Sequence, residues 1–131
     1  MSVDEIIGLS EGAKTLLKRS EEIRCETKGD RLGSNHLLLA LVTRHGVMAE
    51  KLAKGLTATS LKWKLYTELR NGQAGIPLER DFVVSSARDR ARARGKESAN
   101  ETDVAAVILE AAGFEIVEQP MASAEDVPGK R

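Results

Sequence analysis

Aromatic side chains are scarce in this 131-residue chain, at 3%, with one tryptophan, one tyrosine and two phenylalanines. A core must therefore be assembled from leucine, valine, isoleucine and alanine, and small aliphatic residues in quantity favour packed helices over a sandwich. Cys25 is the single cysteine. It excludes an intramolecular disulfide, and its place inside a helical pattern reads as a structural or surface thiol rather than a nucleophile. No apolar run nears the roughly 20 residues that span a membrane, and no basic stretch followed by an apolar one opens the chain. The expectation is a cytoplasmic protein without membrane contact. His36 and His45 are the only histidines. With one cysteine they cannot assemble three or four zinc ligands without distant carboxylates, so neither a metal nor another cofactor is expected. No grouping of Ser, His and Asp, or of Cys and His, has a recognisable local signature, so the chain reads as a non-enzyme.

What is present fits one globular domain: hydrophobic residues make up 41%, and 20 basic side chains balance 20 acidic ones. Ser10 precedes Ala13, Leu16, Leu17, Ser20 and Ile23, a spacing that lines one face of a helix over about 10–27. Lys28-Gly29-Asp30 breaks it. Ser34 then reads as the N-cap of His36 to Val42, apolar all round and therefore buried. A short third helix carries Val47, Met48, Leu52 and Ala53 and closes at Gly55, with Leu56 as its hydrophobic contact. Thr59 or Ser60 caps a fourth, built on Leu61, Leu65 and Leu69 with Trp63 and Tyr66 beside them, and Asn71-Gly72 ends it. Residues 71–77 read as a linker. A fifth helix over about 79–94 turns Phe82, Val83, Val84, Ala87 and Ala91 inward, with Gly95 as its stop. Asn100 and Asp103 form a capping box opening a sixth helix to Gly113; the glycosylation sequon at Asn100 is read as that cap. Residues 114–117 form a short extended piece, and 119–131 a flexible tail or linker.

Sliding the chain on itself by 67 positions superposes its halves without a gap, from Leu16 on Val83 to Gly46 on Gly113. Leu37 falls on Val104, Leu38 on Ala105, Leu41 on Ile108 and Val42 on Leu109. Each half is a long helix, a break and a capped apolar helix, and neither covers its own apolar face. Packing of the halves about a pseudo-twofold is the simple solution.

Leu9-Ser10-Glu11-Gly12-Ala13, Ser20-Glu21-Glu22 and Leu32-Gly33-Ser34-Asn35-His36-Leu37-Leu38-Leu39-Ala40-Leu41 together resemble the Clp N-terminal repeat of ClpA/ClpC-type AAA+ unfoldases. Asn100 to Leu109 looks like a diverged copy of the capped helix, and Ile76-Pro77 resembles the usual entry to the second repeat. The resemblance implies an all-α double Clp motif over residues 1–118, with repeat one at about 9–71 and repeat two at about 76–113. It implies a recruitment domain that binds adaptor proteins and unfolded or tagged substrates for an AAA+ ring and its Clp peptidase. Three departures stand out. The family's glutamate before the motif histidine, which helps bind phosphoarginine, is Asn35 in repeat one and Thr102 in repeat two. A guanidinium fork seeks an acceptor carboxylate, so the resemblance does not carry phosphoarginine recognition with it. The second histidine position holds Asp103, and the last two helices of repeat two are missing after Gly113.

Two further signals compete. Gly8 to Thr15 is close to a phosphate-binding loop, but Ala13 stands in place of its second glycine and the segment begins a helix rather than following a strand. Arg88, Arg90, Arg92, Arg94 and Lys96 make the fifth helix basic, with Arg88 and Arg92 one turn apart. That stripe fits a solvated face, an acidic protein surface or, less well in a chain of balanced charge, nucleic acid. Three functions remain open: the recruitment domain of an unfoldase, with Arg88 and Arg92 as contact residues beside an apolar groove; a stand-alone Clp repeat protein competing for adaptors; and a helical DNA-binding protein.

Overall fold

The computed structural model describes residues 8–117, so the tail read at 119–131 lies outside the described residues. Six helices follow one another: α1 Glu11–Glu26, α2 Ser34–Arg44, α3 Gly46–Leu52, α4 Ala58–Arg70, α5 Arg80–Ala93 and α6 Glu101–Ala111. The fold is all-α. Among the described residues extended backbone meets only in isolated pairs, Leu9 with Ala99, Gly33 with Pro77 and Ala53 with Ile116, and no helix is long and apolar enough to cross a membrane.

Local chemistry sets the helix starts, though not always through the residue that the sequence nominates. Ser10 caps α1, its Oγ accepting from the Ala13 N–H at 3.1 Å. Before α2 the cap is Gly33 and not Ser34. The Gly33 N–H donates to His36 Nδ1 at 2.9 Å, and Ser34 is free to accept from the Ile76 N–H at 3.0 Å. A side chain at 33 would strike the Ala74 carbonyl, which is why glycine stands there. The cap of α4 is Thr57, ahead of Thr59 and Ser60, because Glu50 reaches across from α3 to accept from the Ala58 N–H at 2.7 Å. Helix α3 ends at Leu52, before Gly55. Its cap Ala53 is extended and pairs with 115–117, where Lys54 N–H donates to Glu115 O at 2.9 Å and Val117 N–H to Leu52 O at 2.7 Å.

Packing centres on α2, whose residues 34–42 are all buried. It is covered by α1, α3, α4 and α6, and α6 in turn packs on α5, α1 and α3. Each capped apolar helix thus spends one side on the other. In α5, Val83, Val84, Ala87 and Ala91 face the core, but Phe82 is 56% exposed. It lies across the helical wheel from that cluster, so the expectation that it points inward is corrected.

The termini of the helix pairs are stitched by backbone bonds. Ser10 N–H donates to Ala99 O at 2.8 Å and Ala99 N–H to Gly8 O at 2.9 Å. Ser34 N–H donates to Ile76 O at 2.8 Å and Leu78 N–H to Leu32 O at 3.1 Å. The stretch 71–77 is consequently no loose linker: Asn35 holds Ala74 O through its N–H at 2.9 Å and Gln73 O through Nδ2 at 2.9 Å.

At the start of α6, Asp103 is fully buried. Its Oδ2 accepts from the Asn100 N–H at 3.0 Å, and its N–H donates to Asn100 Oδ1 at 3.1 Å. Its Oδ1 accepts from Arg94 of the basic stripe. Removing one member of such a pair strands a buried charge, at a cost of about 3 kcal/mol or more. Arg94→Met should lower the urea unfolding free energy by about that amount, and adding Asp103→Asn should recover part of it. A double-mutant cycle on the purified protein measures both.

Candidate functional site

Helices α1, α2 and α4 bring their C-terminal halves to a single groove of about 650 Å³. Its floor is aliphatic, from Ile23, Leu39 and Leu69, all buried in the core. Its rim is basic: Arg19, Lys28, Arg44 and Arg70 line it against one acid, Glu26. Glu26 is ion-paired with Arg19 at 3.1 Å, a cation it shares with Glu22 at 3.2 Å. Among the described residues Lys28, Arg44 and Arg70 have no carboxylate at ion-pair distance. All three are solvent-exposed.

Tyr66 joins the groove from α4, one turn from Trp63, with ring centroids 6.0 Å apart. Trp63 is 64% exposed and Tyr66 39%. The two aromatics fall beside the Leu61, Leu65 and Leu69 ladder, which faces the core, and so stand outward. Lys28 is the one described non-glycine residue with positive φ, at 58°. It takes the left-handed position after the α1 C-cap, its N–H on Cys25 O at 3.1 Å, where glycine is the unstrained choice.

The residues nominated from sequence lie elsewhere. Arg88 is half-buried, with its side chain packed over Gly8. Arg92 is exposed and pairs with Asp89 at 3.1 Å. Neither lines the groove, nor the shallower depression of about 400 Å³ between Glu21, Arg31 and the start of α5. With Arg94 committed to Asp103, the basic helix is divided among separate tasks. Asn35 is buried, its Nδ2 donating to Glu68 Oε1 at 3.0 Å, and Thr102 Oγ1 rests on Met48 Sδ at 3.4 Å. Both positions bind the fold together and present no carboxylate.

The glycine-flanked segment at 8–15 has its anion position filled from within. Ser10 Oγ donates to Glu101 Oε1 at 3.1 Å, and a Cβ at Gly12 would collide with the same carboxylate. An acid of α6 thus occupies the positive end of α1. Cys25 is exposed. Among the described residues no three of His, Cys, Asp or Glu gather closely enough to hold a metal ion.

Sequence reasoning missed the groove because its members are spread from Arg19 to Arg70. A faint signal was available: the chain's only Trp and only Tyr sit off the leucine ladder, and α2 and α4 each end in an arginine. No family model matches the chain, and no curated protein and no solved structure matches it either.

His36 is buried to 1% exposure, and its pKa is lowered by that burial first and by the Arg24 charge second, against a smaller upward pull from Glu21. The imidazole is therefore neutral in the fold and keeps Nδ1 as an acceptor. The unfolded chain takes up its proton near pH 6.5 and the folded chain only below that, so stability contributed by neutral His36 is lost as pH falls from about 6.5. Urea midpoints should decline between about pH 7 and 5.5 in the wild type. His36→Gln retains an acceptor for the Gly33 N–H but does not titrate, and its midpoints should decline less over that interval.

Proposed function

We propose that the chain is a recruitment domain of the Clp N-terminal type, capturing adaptor proteins or unfolded polypeptide segments without covalent chemistry. The observation that carries this reading is an exchange between the two halves. The segment entering α1 bonds to the backbone just before α6, and the segment entering α5 bonds to the backbone just before α2. Each half thus reaches the other at corresponding places, although the pairing is parallel at Leu9 and Ala99 and antiparallel at Gly33 and Pro77. The same correspondence appears at the helix starts: His36 accepts from the Gly33 N–H and Asp103 from the Asn100 N–H, the third helical residue in both cases.

The groove over α1, α2 and α4 supplies a surface suited to polypeptide, with an aliphatic floor, exposed aromatics and a charged rim. The DNA-binding reading rested on the basic helix, and the pairing of Arg92 and Arg94 with acids of the same chain leaves it weaker support. Arg92 remains the outermost candidate of the Arg88 and Arg92 pair for an adaptor contact.

Calorimetric titration tests the proposal directly. A Clp adaptor or a permanently unfolded model substrate should bind with Kd on the order of micromolar, and a duplex oligonucleotide should not bind at physiological salt. Heat from neither protein partner would overturn recruitment. Binding to DNA alone, with a steep salt dependence, would replace it with the nucleic-acid reading.

A further inference from the structure

We infer that the groove between the C-terminal halves of α1, α2 and α4 is a docking site for acidic polypeptide segments that carry apolar anchors. The inference deepens the recruitment reading and rests on it: it names the chemistry of the captured segment. The occupant is fixed by charge complementarity. Arg19 is shared between Glu22 and Glu26, and the three unpaired cations Lys28, Arg44 and Arg70 leave the rim with an excess of positive charge around a floor of aliphatic carbon. A cationic or purely polar segment gains nothing there. A segment with carboxylates for the rim and a leucine or phenylalanine for the floor satisfies both.

The ordinary explanation for cations at these positions is that each neutralises the negative end of its own helix. A cation that caps by hydrogen bond folds back onto carbonyls at the helix end, whereas the dipole alone leaves its head free for a partner. Arg24 makes a bond of related kind to the loop beyond its helix, its Nη1 donating to Gly29 O at 2.9 Å. Lys28, Arg44 and Arg70 form no such bond among the described residues. Lys28 also carries the left-handed backbone that glycine would adopt without strain, so the position retains a cation against the local preference of the fold. The exposed aromatics extend the site. Trp63 and Tyr66 form a tilted pair at its edge, with Lys62 Nζ 5.9 Å from the indole centroid. Trp, Tyr and Arg are the side chains that most often dominate binding energy in protein interfaces. Stacked bases could also use aromatics and arginines, but the buried Ile23, Leu39 and Leu69 floor favours an aliphatic or aromatic side chain over a nucleobase edge.

Trp63 is the only tryptophan and reports occupancy through its emission. The intact protein is titrated with a short synthetic peptide of alternating Glu and Leu, with its Lys-for-Glu counterpart, and with oligo-dT of matching length. The acidic peptide should bind, and raising NaCl from about 50 to about 300 mM should weaken it about tenfold. Arg44→Ala with Arg70→Ala should weaken it by about tenfold or more, and Lys28→Gly by about threefold. Because glycine suits the left-handed position, Lys28→Gly should unfold at the same or a higher temperature, which separates lost binding from lost fold. Equal binding of the lysine peptide, unchanged affinity in the variants, or binding of oligo-dT alone would overturn the proposal. Failure of the acidic peptide while adaptor or unfolded substrate still binds overturns this proposal alone. Binding of the acidic peptide with no adaptor or unfolded substrate captured overturns recruitment alone.

Discussion

A helix without a polar face has to be covered on every side, and that requirement organises this molecule. Helix α2 buries residues 34 through 42, including Ser34, Asn35 and His36 at its polar start. Four other helices are drawn over it, and one of them, α6, is equally apolar and equally in need of cover. The buried polar start of α2 raises the stakes, because an unmet donor or acceptor there would cost about 1–3 kcal/mol. Gly33, Ser34, Asn35 and His36 each find a partner, and three of those partnerships run to or against the segment 73–76. Covering α2 therefore fixes the path of the chain between α4 and α5.

Most of this was legible in the sequence where the signal was local. The helix spans followed from apolar spacing, and the capping box of Asn100 and Asp103 from its three-residue step. The misreadings share a cause. The cap of α4 was misplaced because Glu50 serves it from another helix, and Ser34 lost its capping role because Ile76 claims its hydroxyl. The stretch 71–77 looked like a linker because local bonds hold only its start, 71–73, to the end of α4; the bonds that fix 73–76 come from the start of α2. Phe82 was assigned inward on hydrophobicity, although its place on the helical wheel turns it outward.

The same distinction applies to charge. Read along the chain, the arginines from 88 to 94 form one stripe, but in three dimensions Arg88, Arg92 and Arg94 are apportioned to Gly8, Asp89 and Asp103. The groove on the other half shows the reverse. Lys28, Arg44 and Arg70 are unremarkable in sequence, yet three helix ends deliver them to one place. Linear clustering overstated one surface and concealed another, because burial of a partner such as Asp103 cannot be read from adjacent residues.

The bonds that join the halves span most of the chain, Ser10 and Glu101 standing 91 positions apart. Synthesis at roughly 5–20 residues per second leaves several seconds between the emergence of α1 and that of its partner. Through that interval α2 lacks the neighbour that covers its α6 side, and the positive end of α1 lacks its carboxylate. A nascent chain of this design would present greasy surface to ribosome-associated chaperones before it could shield itself. The arrangement that makes the finished domain mutually supporting leaves its first half dependent on a helix made much later.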